Sequence, residues 1–133
     1  MALLDDVADY LQQQAIGTRG TDLFVARMPD EPDAAVVLID TGGGEPSLVD
    51  NIDTPSWQVR VRAGTYPDAA AKAYAINNLL HGVAEMDLGA VGATSRFHLI
   101  WAIQSPVSLG QDEKQRHEFS QNFRAFWGNP GRT

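Results

Sequence analysis

Apolar residues recur at steps of three and four in two parts of the chain, which is the spacing of one helix face. The first part contains Leu3, Leu4, Val7, Leu11 and Ala15. The second part contains Ala69, Ala73, Ile76, Leu80 and Val83. Thr65 can cap the second helix, Asp68 can reach back to it, and Pro67 fits its first turn. The pattern predicts two helices, the second packed on a sheet through its alanine-rich face.

Five other stretches carry the patterns of β-strands. They are residues 21–27, 35–39, 57–62, 96–104 and 117–126. Only the polar residues 28–33 separate the first two, so we expect those two strands to pair antiparallel across a turn. Three stretches without periodicity are expected to be loops, at 40–55, 85–95 and 105–115, and the chain from about Gly128 onward is expected to be a loose tail.

Alternation within two of the strands assigns side chains to faces. In residues 57–62, Trp57, Val59 and Val61 lie on one side, which leaves Arg60 and Arg62 on the other. In residues 96–104 the residues expected on one apolar side are Phe97, Leu99, Trp101 and Ile103.

These elements predict one domain over residues 1–133 with an α+β fold. The expected architecture is a mostly antiparallel five-stranded sheet with two helices packed on one face, in the order α-β-β-β-α-β-β. No internal repeat or second domain is indicated.

Composition narrows the classes of function. The 133 residues contain no cysteine, which excludes disulfides and cysteine-based zinc sites. The net charge of −7 with scattered basic residues argues against sequence-specific DNA binding. The first residues lack the basic start of a signal peptide, and no apolar run is long enough to span a membrane, so we expect a protein that stays in the cytoplasm where it is made.

Candidate chemistry is sparse. The triplet Gly42-Gly43-Gly44 is followed by Glu45 and Pro46 rather than by the Lys and Ser/Thr of a phosphate-binding loop. The histidines lack the local spacing of a metal pair, although His98 and His117 could meet across paired strands. No nucleophile elbow is present, whereas a triad assembled from distant residues stays open. We therefore expect no catalytic site, metal or cofactor.

Two blocks of sequence resemble a known family. The first runs Trp57-Gln58-Val59-Arg60-Val61-Arg62-Ala63-Gly64, then Tyr66-Pro67, then the helix ending Leu79-Leu80-His81-Gly82. The second runs from Gln104-Ser105-Pro106 through Leu109-Gly110-Gln111-Asp112-Glu113 to Arg116 and Ser120-Gln121-Asn122-Phe123. Together they resemble the tail terminator and minor capsid (neck) proteins of long-tailed bacteriophages.

The resemblance implies a structural virion protein, made in the host cytoplasm, that forms a hexameric ring. Such a ring caps the tail tube, stops its polymerisation and offers a docking surface to the head. Its partners would be further copies of itself, the tail tube protein and a head-completion or connector protein. DNA would cross the ring's lumen without specific binding, which suits an acidic protein.

Two alternatives to this function stay open. The first is another head–tail connector or head-completion protein. The second, of a different class, is a small cytoplasmic binding or hydrolytic domain that uses the Gly42–Gly44 loop.

Two sets of residues are predicted to make contacts in the assembly. The first set lies on the long loops, since binding residues concentrate on loops held by a rigid scaffold. It consists of Gly42, Gly43, Gly44, Asp50, Asp53, Pro106, Leu109, Gly110 and Asp112. The second set is Arg60 and Arg62, which are expected to face solvent in the monomer and to meet acidic groups of a neighbouring subunit.

Overall fold

The computed structural model describes residues 2–131 of the chain, with the side chain of residue 2 left aside. Within these residues the fold is mixed α+β, with two helices and eight strands. The helices are α1 (Ala2–Gln13) and α2 (Tyr66–Leu80). The strands are β1 (Leu23–Val25), β2 (Ala35–Gly43), β3 (Ile52–Asp53), β4 (Pro55–Ala63), β5 (Ala84–Ala90), β6 (Ala93–Ala102), β7 (Val107–Gln111) and β8 (His117–Gly128).

Both predicted helices are present, and the signals that start α2 act as expected. The Thr65 side chain accepts a hydrogen bond from the N–H of Asp68, and Pro67 lies in the first turn. Four residues of α2 are buried, at Ala69, Ala73, Ile76 and Leu80. Neither helix in the described part of the chain has the length and apolar character needed to cross a bilayer.

The sheet is organised around β8. The strand order is β1-β2-β4-β8-β6-β5, and β3 and β7 also pair with β8. The sheet is curled, because α1 contacts both of its edge strands, β1 and β5. The helices and the inner face of the sheet share one hydrophobic cluster, which includes Trp57, Phe97 and Phe123. We call the opposite side of the sheet the outer face.

The expected five-stranded, mostly antiparallel sheet is wrong in strand number and in one pairing. β1 and β2 pair parallel, whereas the sequence predicted an antiparallel pair. The reason is that residues 26–34 do not form a tight turn. They return along the sheet, so β2 begins at the same end as β1.

The stretch 85–95, expected to be a loop, instead forms most of β5 and the start of β6. Its small residues have a packing role. A Cβ atom at Gly89 would lie 2.6 Å from the Asp6 carboxylate of α1, so glycine permits the close approach of helix and strand. Asp6 is buried there and accepts a hydrogen bond from Ser95.

The other two expected loops also contain strands. Residues 40–55 include the end of β2, all of β3 and the first residue of β4, and residues 105–115 include β7. At the C-terminal end, β8 continues to Gly128, and the Asn129 side chain donates to Asp53 at 2.9 Å. Arg132 and Thr133, which the sequence assigned to a loose tail, lie outside the described residues.

Candidate interaction surface

The outer face of the sheet is polar along its middle strands. On β4 it presents Gln58 and Arg60, and on β8 it presents Asn122 and Arg124, with Gln58 directly opposite Asn122. This face was predicted from the alternation around Val59 and Val61, both of which are buried in the core. The two arginines predicted on it, Arg60 and Arg62, nevertheless have different surroundings.

Arg62 does not face solvent, because the polar segment 29–33 covers it. The residue is only 5% exposed. Its guanidinium donates to the carbonyl oxygens of Pro32 at 2.6 Å and Pro29 at 2.8 Å, and Nε donates to that of Asp33 at 3.1 Å. Arg62 therefore holds the 29–33 turn against the outer face, and the solvent exposure expected from the sequence is wrong.

A second arginine fixes the same turn from the other side. Arg116 is buried and donates to Asp112 at 2.8 Å and to Asp30 at 3.1 Å, while Lys114 also pairs with Asp30. The hydrogen bonds from Lys114 and Arg116 hold the pKa of Asp30 below its usual value. Desolvation alone would raise the pKa of Asp112, but hydrogen bonds from Arg116 and Lys114 lower it overall. These acids are thus occupied within the monomer.

Arg60 and Arg124 differ from the two arginines that bind the 29–33 turn. Each is half-buried, and the Nε atom of each is buried without a hydrogen-bond partner among the described residues. A buried donor without a partner is unfavourable, and a cation makes the cost larger. Of the predicted pair, Arg60 is the one that keeps part of its side chain exposed.

Apolar side chains adjoin Arg124 on the outer face. Trp101 of β6 lies opposite Arg124, and its ring contacts that of Phe126 with centroids 5.1 Å apart. Ile103 is 51% exposed and Phe126 is 42% exposed. A shallow cleft of about 320 Å³ lies among Trp101, Ala102, Ile103 and Arg124.

The sequence assigned Leu99, Trp101 and Ile103 to the same side as Phe97, and that assignment is wrong. The pairing of β6 with β8 shifts register between Phe97 and Leu99. An extra residue in a strand moves all later side chains to the other face. Phe97 and Ile100 consequently fill the core, whereas Trp101 reaches the outer face. The cleft was missed because nothing in the alternation signals this bulge.

The predicted contact residues around the glycine triplet lie in two environments. Gly42 and Gly43 belong to β2, and a Cβ at Gly43 would meet the backbone of Thr54 at 2.3 Å. Asp53 belongs to β3. Between them, Gly44 begins an irregular segment that we call the 44–51 loop.

The 44–51 loop exposes two large apolar side chains at its tip. Leu48 is 100% exposed and Val49 is 90% exposed. The loop has internal order, because Ser47 accepts from the N–H groups of Val49 and Asp50, and Asp50 accepts from that of Ile52 at 3.0 Å. A contact with another molecule would remove these two apolar side chains from water.

The predicted contact residues in 106–115 are also divided. Pro106 is buried in the fold, and Asp112 is bound to Arg116. Leu109 and Gly110 lie in β7, whose residues are all exposed, and Leu109 shows about half of its surface. The accessible part of this predicted contact is therefore β7 itself.

The polar groups that sequence analysis considered for chemistry are dispersed. His98 pairs with Glu85, whereas the ring of His117 contacts Tyr66, so the two histidines do not meet. In the part of the chain that the structure describes, no group of three or more histidine or acidic residues is placed to hold a metal ion. A cavity of about 480 Å³ lies beside α2, and five of its lining residues are alanines.

Comparison with known proteins identifies the family of this chain. A family of bacteriophage tail terminator proteins matches residues 10–125. The chain belongs to this family. The match runs from the end of α1 through most of β8, so it covers both blocks of sequence that carried the resemblance.

The tail terminator fold also occurs in a solved particle. The chain is similar to a chain of the virion of a native gene transfer agent particle, with a TM-score of 0.65 and 18% identity over 92% of each chain. No curated protein sequence matches. Family membership makes this protein a structural component of a phage tail, and the alternative of a small cytoplasmic enzyme or binding domain loses its support.

Proposed function

We propose that the protein caps the tail tube of a long-tailed phage as a hexameric ring, stops polymerisation of the tube and gives the head its docking surface. The family match over residues 10–125 carries this proposal. The ring is assembled in the host cytoplasm and stays in the virion. Its partners are copies of itself, the tail tube protein and a head-completion or connector protein.

Surface features of the monomer support an assembly role. The 44–51 loop exposes Leu48 and Val49, and Arg60 and Arg124 carry buried Nε donors without partners among residues 2–131. Contact with another molecule would remove Leu48 and Val49 from water and would bring a carboxylate to the exposed parts of Arg60 and Arg124. The net charge of −7 suits a ring through which DNA passes without being bound.

Within the ring, we assign the intersubunit and tube contacts to the 44–51 loop, to Leu109 and Gly110 of β7, and to Arg60. The loops are held by the rigid sheet, which is the usual arrangement of binding residues. Arg60 can form two parallel hydrogen bonds with a carboxylate of a neighbour.

A deletion phage tests the proposed activity. Without the terminator, the open tube end continues to present a surface to its own subunit. We therefore expect tubes of uncontrolled length and headless tails in electron micrographs of the lysate, and expression of the protein in trans should restore normal tails. Tails of normal length that fail to join heads would instead indicate a connector or head-completion protein, and normal virions would refute both functions.

Loop variants test the assigned contacts. Replacing residues 45–50 by a short glycine-serine linker spares β2, β3 and β4, so circular dichroism should stay native while attachment to purified tubes is lost. Leu109→Ser should weaken attachment in the same assay, and Val91→Ser, in the exposed β5–β6 turn, serves as control. Full attachment of the loop variant would show that another surface makes the contact.

A further inference from the structure

Two surfaces of the monomer are each incomplete. One is the cleft, formed by Trp101, Ala102, Ile103 and Arg124 on the outer face. The other is the knob, which we define as Leu48 and Val49 at the tip of the 44–51 loop. The knob does not occupy the cleft of its own chain, since Leu48 is completely exposed.

The cleft combines apolar walls with a cation. Trp101 and Ile103 supply the walls, and Arg124 lies opposite Trp101 across the β6–β8 pair. The buried Nε of Arg124 has no hydrogen-bond partner in the described chain. Because the rest of the half-buried Arg124 side chain lines the cleft, a fitting ligand would fill the cleft with an apolar side chain and bring a carboxylate to the exposed part of Arg124.

The knob has the complementary composition. Its two apolar side chains lie between two acids of the same loop, Glu45 and Asp50. Hydrogen bonds from the loop backbone to Ser47 restrict the tip, which lowers the entropy lost when it is bound. The apolar and acidic groups of the knob and its loop thus complement the apolar and basic groups of the cleft. This complementarity favours another copy of this chain as the occupant of the cleft.

We propose that the knob of one copy inserts into the cleft of the next copy. This inference rests on the proposed ring function and specifies the contact that builds the ring. Each copy then gives its knob to one neighbour and receives the knob of another, so the contact is heterologous, and repeating it generates a closed ring when the rotation between copies is suitable. Arg124 then binds an acid of the 44–51 loop, and Leu48 is removed from water between Trp101 and Ile103.

Disulfide trapping tests this arrangement directly, because the natural chain contains no cysteine. The double variant Leu48→Cys with Ile103→Cys is added to purified tail tubes and oxidised. We expect a ladder of covalent multimers up to the full ring on a denaturing gel. An equal mixture of the two single variants should give dimers only, since each copy can then form one bond. The pair Val91→Cys with Ile103→Cys, in which the cysteine stands on a different exposed turn, should give no ladder.

Charge variants test the role of the cation. Arg124→Glu in the double-cysteine background should abolish the ladder, whereas Arg27→Glu, at an exposed arginine outside the cleft, should leave it unchanged. Circular dichroism confirms that both variants fold.

The outcomes separate this inference from the proposed function. A ring on tube ends without the ladder would refute the knob and cleft contact while leaving termination intact. Dimers formed by Leu48→Cys alone would indicate a symmetric contact, and trapping of Leu48→Cys on a tube protein carrying its own cysteine would assign the knob to the tube; either result overturns the inference. Absence of any wild-type ring on tubes would refute the proposed function itself.

Discussion

Replacing Arg62 with methionine is expected to destabilise the protein by detaching the 29–33 turn from the outer face. Methionine keeps the apolar stem of the side chain and removes every donor. The two shortest bonds, to Pro32 and Pro29, are charge-assisted, and such bonds contribute roughly 1.5–3 kcal/mol each. Asp30 and Asp33 of the turn are exposed, so water can reach part of the freed backbone. We therefore take the lower end of the range, a loss of about 3 kcal/mol.

Urea denaturation followed by tryptophan fluorescence measures this loss. A change of about 3 kcal/mol corresponds to a melting temperature roughly 10 °C lower for a domain of this size. Arg60→Met is the matched control, because Arg60 lies on the same face of the same strand without a hydrogen bond to the described residues. It should not destabilise the protein, because it removes a buried donor that has no hydrogen-bond partner among the described residues. Equal stability of the two variants would refute the assignment of Arg62 as the residue that holds the turn.

Three further predictions follow from buried and paired groups. Burial raises the pKa of Asp6 above its ordinary value of 3.8. Its charge therefore lowers the folding stability fully above the raised pKa, and it has no effect on stability below pH 3.8. In urea titrations, Asp6→Asn should be more stable than wild type at pH 7, and the difference should vanish near pH 3. Gly89→Ala should lower the folding stability by about 2 kcal/mol or more, because the φ of +132° and the contact with Asp6 both disfavour a Cβ. The control Gly92→Ala has open space around it and should lower the stability by only about 1 kcal/mol. Thermal melting measures both changes. The pKa values of Asp30 and Asp112 are lowered, so both charges stabilise the fold fully above pH 3.8, and this stabilisation is lost as the pH falls through the lowered pKa. Asp112→Asn should therefore make the free energy of unfolding depend less on pH in the acid range. An unchanged pH dependence would contradict this.

Sequence alone was sufficient where one local rule acts without interference. The cap at Thr65 and the spacing of Ala69, Ala73 and Ile76 placed α2 within a residue or two. The alternation of β4 correctly separated its core side from its outer face. These signals are local, so one chain carries them in full.

The remaining strands were not predicted, because their amino-acid composition reflects packing against residues that are distant in sequence. Gly89 is typical of a loop in the sequence, although it lies in a strand beside Asp6 of α1. β7 and β3 are short and pair only with β8. Parallel pairing of β1 with β2 depends on the path of the 29–33 turn, which is fixed by two arginines far away in sequence.

The candidate surface was predictable only in part for the same reason. The aperiodic stretch 40–55 contains the segment that carries Leu48 and Val49, although other parts of it form strands. The cleft depends on the register shift between Phe97 and Leu99, and the burial of Arg62 depends on the turn that covers it. Both are tertiary effects on residues whose own alternation indicates the opposite environment.

The position of β8 in the chain has a consequence for how the protein is made. Translation releases β3, β4, β6 and β7 before the one strand that joins them, so each waits on the ribosome with an open edge. The β1–β2, β2–β4 and β5–β6 pairs can close earlier. A nascent chain therefore has no complete outer face, because Arg124, which lines the cleft, is synthesised with β8. Under the proposed knob and cleft contact, an incomplete copy would lack the surface that receives a neighbour, so only finished subunits would take part in sealing a tube end.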